Sequence, residues 1–159
     1  SSHLRAVRKA MEKNVIVKES KNITTFYKIL NNNLKIRHGV NPTHTLKELK
    51  HIFNLFPNRI KLFAAYLENI MIAGVVTFQV NSNVLLAFYI SHDEKYSELR
   101  AVNILFFEIF KWAIKSNFKI FDFGIFTVSG VPNMGLGRFK ENFGASGIFR
   151  DTIELKLSS

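Results

Sequence analysis

With 159 residues, of which 47% are apolar and 13% aromatic, the chain can form one well-buried core and is too short for two ordinary domains. It has no cysteine, which excludes a disulfide framework, a cysteine-ligated zinc and a thiol nucleophile within this chain. Its formal net charge of +10 predicts attraction to polyanions, for which nucleic acid, anionic lipid and a phosphate-rich cofactor are the candidates.

The distribution of apolar residues bears on where the protein works. The opening residues, SSHLRAVRKAMEKN, contain no apolar segment of the kind found in a signal peptide. The longest apolar run, 102–114, is interrupted by Asn103, Glu108 and Lys111 and is shorter than the roughly 20 residues that a membrane span requires. We therefore expect no membrane span and a cytoplasmic location.

The N-terminal part of the chain predicts two helices separated by a strand. Apolar residues recur at helical spacing over 4–13, VIVKE at 15–19 is typical of a short strand, and a second helix over 23–35 follows Asn22, a suitable N-cap. The cations of the first helix either lie on a solvated face or attract a polyanion, and the sequence leaves both interpretations open.

A third helix is predicted by its start signal. Thr45 and Glu48 have the spacing of a capping box, in which each side chain bonds the other residue's free backbone amide. This pattern predicts a helix that runs to about Phe56 and is stopped by Pro57.

Three β-rich segments follow, namely RIKLFAAYL, IMIAGVVTFQV and VLLAFYIS, joined by short turns at 68–69 and 81–83. Tight connections between such segments predict an antiparallel meander. Next comes SELRAVNILFFEIFKWAIKSN, a predicted helix that is apolar around most of its circumference, with one narrow polar stripe.

The end of the chain predicts a strand over 119–123 and a last strand in which residues 153, 155 and 157 are apolar and alternate with polar ones. The predicted order defines an α+β fold with a central, mixed but mostly antiparallel sheet flanked by helices.

Two segments of the C-terminal third carry a family resemblance. FKIFDFGIF ends in Asp-Phe-Gly at 122–124, and GLGRFKENFGA contains Phe-Lys-Glu-Asn-Phe-Gly at 139–144. This order resembles the branch of the GNAT superfamily that contains the Fem peptidoglycan aminoacyl-ligases and the BioF-like acetyltransferase domains. In those proteins a Phe-Lys-x-x-Phe-Gly turn lies beside the acyl-transfer site. Specific agreement is confined to 119–144, whereas the element order agrees over roughly 4–157.

The resemblance implies an acyl donor, either an acyl-CoA such as acetyl-CoA or an aminoacyl-tRNA. A CoA pyrophosphate would meet the free backbone amides at the start of the helix after the meander. The residues at that position are Leu99, Arg100, Ala101, Val102 and Asn103. The usual glycines of this site are missing, as is common in the Fem-like and BioF-like branch, and Arg100 either meets a phosphate or is a solvated first-turn arginine.

The same resemblance implies catalytic and substrate-binding residues. Lys140 would lie near the reacting carbonyl, where a cation stabilises the developing oxyanion; the alternative is an exposed lysine that contributes little to stability. Asp122 is a second catalytic candidate, and its alternative role is to cap amides of the following turn. Arg138 and Phe139 are candidate substrate-binding residues.

A general base for the attacking amine is the least determined part of the site. Tyr89 is the committed candidate at the end of the third meander strand, and a water relay would also serve. The other titratable candidates are His92, Asp93 and Glu94 in the same region and His38, His44 and His51 upstream. These histidines lack metal-ligand spacing, so we expect no metal site.

The resulting hypothesis is one acyltransferase domain over 1–159 that moves an acetyl or aminoacyl group from CoA or tRNA to an amine, without metal or covalent intermediate. The amine belongs to a small molecule or a cell-wall precursor. A catalytically silent module that binds RNA or another polyanion is the alternative. Because larger relatives carry two such domains in tandem, this chain could also be the C-terminal half of a longer protein.

Overall fold

The computed structural model describes residues 2–128, 130–149, 151 and 153–155, without the side chains of Ser2 and Val128. These residues form two compact units, Ser1–Gly124 and Ile125–Ser159. The first unit contains all of the large sheet and is the part of the molecule that frames most of the candidate site.

The elements of the first unit follow the predicted order. They are α1 (Ser2–Glu12), β1 (Val15–Ser20), α2 (Ile23–His38), α3 (Leu46–Leu55), β2 (Ile60–Leu67), β3 (Ile70–Gln79), β4 (Val84–His92), a 3₁₀ helix (Glu94–Leu99), α4 (Ala101–Lys115) and β5 (Ile120–Asp122). The second unit contains a short hairpin of β6 (Thr127–Val128) and β7 (Val131–Pro132), followed by α5 (Met134–Glu141).

The large sheet has five strands in the order β1-β2-β3-β4-β5. Strands β1 to β4 pair antiparallel, as a meander requires, whereas β5 joins β4 in parallel after the crossover through α4. The predicted α+β fold with a mixed, mostly antiparallel sheet flanked by helices is therefore confirmed.

Helices cover both faces of this sheet. Helix α2 packs on one face through Phe26, Ile29 and Leu30, which meet Leu62 and Val76 of the central strands. Helix α4 packs on the opposite face, where its Trp112 contacts Phe63, the neighbour of Leu62 in β2. Alternation along the strands explains this division, because successive side chains point to opposite faces of a sheet.

The close packing of α2 depends on a glycine in β3. A Cβ atom at Gly74 would lie 2.5 Å from Cδ2 of Phe26, and Phe26 is fully buried. Only glycine permits the aromatic ring to come this near to the strand.

The helix boundaries confirm the predicted caps. Asn22 Oδ1 accepts the Thr25 N–H at 3.1 Å at the start of α2, and Gly39 ends α2 in the left-handed conformation with φ of 66°. Both bonds of the Thr45 and Glu48 capping box are present at the start of α3.

Three features of the fold differ from the prediction. The helix after the meander is broken at Arg100, which separates the 3₁₀ helix from α4. Residues 134–141, expected to form a loop and turn, form α5 because Asn133 Oδ1 caps the Leu136 N–H at 3.0 Å. Helical periodicity is weak in this glycine-containing segment, and Asn133 as an N-cap residue was the sequence signal that indicated a helix.

The predicted last strand is wrong for the residues that can be judged. Described residues from 145 to 155 belong to no strand, and Ile153 and Leu155 are exposed. Residues 152 and 156–157 of that prediction lie outside the described residues. Alternation alone does not make a strand, because a strand also needs a partner for its backbone hydrogen bonds.

Candidate functional site

Strands β4 and β5 diverge, and the divergence opens the edge of β4. Pairing covers Val84–Leu86 of β4 and ends at Asp122 of β5. After Asp122 the backbone turns away through Gly124, which has φ of 69°, and the Asp122 carboxylate accepts the Gly124 N–H at 2.7 Å. Among the described residues, the following part of β4 pairs with β3 on one side and with no strand on the other.

A bulge at the start of this open edge changes which side chains face the α2 and α3 layer. Val76 pairs with Tyr89 and Thr77 with Ala87, which leaves Phe88 without a partner in the register. The extra residue places Phe88 and Tyr89 on the same face instead of on opposite faces. Phe88 stacks on Phe78 with ring centroids 4.3 Å apart, and Tyr89 packs against the core beneath α2.

The hydroxyl of Tyr89 is bound by a histidine from the α2–α3 connection. Tyr89 Oη lies 2.9 Å from Nδ1 of His44 and accepts the His44 backbone N–H at 3.3 Å. The connection is itself held in place, since Tyr27 Oη donates to the His44 carbonyl at 3.1 Å. The structure thus brings together two titratable side chains that are 45 residues apart in the chain.

The other base candidates at the end of β4 are engaged in structural bonds. Glu94 binds the guanidinium of Arg37 and accepts from Nδ2 of Asn33 at 2.9 Å, and the bond to Arg37 is the main cause that lowers the pKa of this carboxyl. Burial is the main cause that lowers the pKa of His92. Asp93 Oδ1 accepts the Lys95 N–H at 3.0 Å and begins the 3₁₀ helix. A carboxylate already held by a cation is a weak base, so Glu94 fixes the end of β4 instead of taking up a proton.

The predicted donor-binding segment divides into two parts. Arg100 is the N-cap residue of α4, with φ of 50°, and its side chain does not cap the first turn. A helix start that presents its backbone amides to an anion must lack such a side-chain cap. In contrast, Leu99 and Asn103 are buried, and Asn103 Nδ2 lies 2.5 Å from Nδ1 of His3 in α1. The Asn103 side chain therefore lies against α1 and not on an exposed polar face of α4, and the Asn103 backbone N–H donates to the Arg100 carbonyl at 2.9 Å.

The left-handed conformation of Arg100 leads to a stability prediction. This conformation costs an L-residue other than glycine about 1–2 kcal/mol, and Arg100 adopts it with φ of 50°. We expect Arg100→Gly to be more stable than Arg100→Ala by about 1 kcal/mol in thermal denaturation. Equal stability of the two variants would show that the turn at residue 100 is not strained.

The second unit holds the remaining candidates. Lys140 in α5 is 7% exposed, and its Nζ donates to the carbonyl of Ile125 at 2.6 Å. The predicted alternative of an exposed lysine with little effect on stability is therefore wrong, because this side chain ties α5 to the start of its own unit. Arg138 is exposed, and Phe139 is half-buried with its ring 5.2 Å from that of Phe143.

The candidates thus fall into two groups. Tyr89, Asp122 and the segment Leu99–Asn103 belong to the first unit, and Lys140, Arg138 and Phe139 belong to the second. Sequence reasoning did not select His44 from the available histidines. Its place just before the capping box indicated a loop position, but no local pattern indicated its contact with Tyr89.

Within the described part of the chain, no three histidine, aspartate or glutamate side chains are grouped so that they could hold a metal ion. None of the described helices combines the length and apolarity needed to cross a bilayer.

A mixed sheet in which β4 and β5 diverge, with the start of α4 between them in the chain, is typical of an acyltransferase-like fold. The profile of the family described as acetyltransferase (GNAT) domain matches residues 2–141. The chain belongs to this family, whose members are N-acyltransferases, and the predicted GNAT membership is confirmed. No curated protein matches the chain by sequence.

Solved structures show the same fold at low sequence identity. A possible acetyltransferase from Clostridium difficile 630 is 15% identical, with a TM-score of 0.71 over 91% of this chain and 99% of that one. FemX is 13% identical, with a TM-score of 0.75 over 91% of this chain and 53% of FemX, so the chain spans about half of that Fem-like relative. A GNAT acetyltransferase from Elizabethkingia anophelis with acetyl-CoA bound is 14% identical, with a TM-score of 0.56 over 82% and 74%.

Proposed function

We propose that the protein transfers an acetyl group from acetyl-CoA to the amine of a small molecule or cell-wall precursor. The observation that carries this proposal is the open edge of β4, which runs from Ala87 to His92 and is followed in the chain by the uncapped start of α4. The acetyl-CoA-bound relative of the same fold supports this choice of donor over an aminoacyl-tRNA.

The open edge of β4 suits the pantetheine part of CoA, and the start of α4 suits its pyrophosphate. An extended chain with amide groups, such as pantetheine, can pair with an unpaired strand edge in the way that a peptide does. A pyrophosphate suits the first turn of α4, because free N–H groups and the helix dipole both favour an anion. The protein's net charge of +10 favours the approach of the same phosphate groups.

The protein must stabilise the oxyanion, receive the proton of the amine and hold the substrates during the transfer. The amine nitrogen attacks the thioester carbonyl, the new C–N bond forms, the C–S bond breaks, and CoA leaves as a thiolate while the amine loses a proton. A cation must stabilise the oxyanion, and we propose that the Lys140 ammonium does so.

Tyr89 is proposed to receive the proton of the amine. Asp122 is proposed to hold the turn that opens the β4 edge and to contribute to substrate binding. Arg138 and Phe139 are proposed to contact the acceptor.

The test has two arms. Thermal denaturation with CoA should show stabilisation, which amounts to about 2.7 kcal/mol when CoA is present at roughly 100 times its dissociation constant. Incubation with acetyl-CoA and a panel of a polyamine, an aminoglycoside and a lysine-containing peptide should release free thiol only when an amine is present. Pantetheine is the matched control for the first arm, since it lacks the phosphates.

Other outcomes would select other functions. Transfer from an aminoacyl-tRNA without any response to CoA would replace the donor. Absence of a CoA response together with RNA binding that weakens steeply as salt rises would favour the silent polyanion-binding module instead.

A further inference from the structure

We infer that His44 is a positioning residue that accepts, through Tyr89, the proton of the attacking amine. The inference rests on the proposed function and adds to it a partner for Tyr89. It starts from the observation that the half-buried pair of His44 and Tyr89 lies beside the β4 edge opened by the divergence from β5.

The proton relay uses one tautomer of His44. Tyr89 Oη accepts the backbone N–H of His44 at 3.3 Å, and in the arrangement that we propose its single hydrogen is donated to the ring Nδ1, which lies 2.9 Å away. Neutral imidazole has one N–H, and with Nδ1 as the acceptor that N–H is on Nε2. The ring is thereby oriented to receive the hydroxyl proton of Tyr89.

The titratable groups around His44 come from three elements. Glu48, in the first turn of α3, has a carboxyl whose pKa is lowered first by its hydrogen bonds to Thr45 and also by the nearby His44. From α2, Tyr27 faces the same connection through its bond to the His44 carbonyl, and from β4 the facing titratable group is Tyr89.

The proton transfers accompany formation of the amide bond. When the amine nitrogen has bonded to the thioester carbon, its N–H proton moves to Tyr89 Oη, while the Tyr89 hydroxyl proton moves to Nδ1 of His44. The C–S bond then breaks and CoA leaves as a thiolate, which takes a proton from water, and the imidazolium of His44 loses its proton to solvent. Tyr89 ends each cycle as a neutral phenol.

The first test compares kcat with KM for the acetyl transfer. We expect His44→Asn, which keeps an acceptor near the position of Nδ1 but cannot take up a proton, to lower kcat by ~10²–10⁴ at unchanged KM for acetyl-CoA. The matched control is His51→Asn, an exposed histidine of α3, which should behave as wild type.

A non-additive effect of the two substitutions separates this inference from simple damage to the fold. Tyr89→Phe combined with His44→Asn should cost little more than either change alone, because the two side chains act as a unit. His44→Gln serves if His44→Asn does not fold. A wild-type kcat in a folded His44 variant would overturn the inference.

A second measurement tests the pair even if no acetyl transfer is found, which would overturn the proposed function. Nitrogen NMR of the His44 ring in the full chain should show Nδ1 as an unprotonated acceptor and Nε2 as protonated, with a shift at Nδ1 in Tyr89→Phe. A proton on Nδ1, or no response to Tyr89→Phe, would contradict the inference independently of activity.

Discussion

Replacement of Phe106 by alanine is expected to lower the free energy of unfolding by about 3–5 kcal/mol. Phe106 of α4 is fully buried, and its ring lies 5.8 Å from that of Phe110, 5.9 Å from that of Phe121 and 5.1 Å from that of Phe123. Removing the ring leaves a cavity between α4 and β5 that rigid aromatic neighbours cannot fill. In a chain of this size we expect the melting temperature to fall by roughly 10 °C.

The same change should also affect the site, because Phe121 and Phe123 flank Asp122, the last residue of β5. Phe107→Ala is the matched control: this ring lies on the same helix, is only half-buried and has Nζ of Lys111 5.4 Å from its centroid. We expect a loss of about 1 kcal/mol for Phe107→Ala. Equal losses for the two variants would show that the aromatic cluster around Phe106 is not a principal part of the core.

Replacement of Lys140 by alanine is expected to lower kcat by ~10²–10³, if its ammonium stabilises the oxyanion. The structure adds a stability cost that an exposed lysine would not have. The bond from Nζ to the Ile125 carbonyl and the burial of the side chain predict a loss of about 1–3 kcal/mol.

Two variants distinguish catalysis from support of α5. Lys140→Met keeps the apolar stem of the side chain and removes the charge, so it should lose as much kcat as Lys140→Ala while destabilising less. Glu141→Ala, an exposed change on the same helix, should leave both properties near wild type. If Lys140→Met retains the wild-type kcat on an amine that wild type acetylates, the charge has no catalytic role.

The predictable parts of the fold are those decided by neighbouring residues in the chain. Asn22 and the pair Thr45 and Glu48 identified two helix starts because a cap satisfies amides only two or three residues away. The apolar segments and short turns of the meander likewise predicted β2, β3 and β4. The Fem-like resemblance of residues 119–144 indicated the family, which the profile match over 2–141 confirms.

The base region of the site could not be read from the same patterns. The bulge that places Phe88 and Tyr89 on one face depends on the register between β3 and β4, which involves residues about a dozen positions apart. The choice of His44 among the histidines depends on how the α2–α3 connection folds over β4. The left-handed conformation of Arg100 was also not predictable, since arginine gives no local signal for that conformation.

The sequence by itself therefore determined the helices with strong caps, the meander and the membership of the GNAT family, because these follow from local backbone preferences and a family motif. Tertiary structure alone decided that Lys140 is buried, that Asn103 is bound to His3 and that Tyr89 is paired with His44. Burial and hydrogen bonding between distant residues are set by how the elements pack, and residue type at one position carries little information about its partner across the sheet.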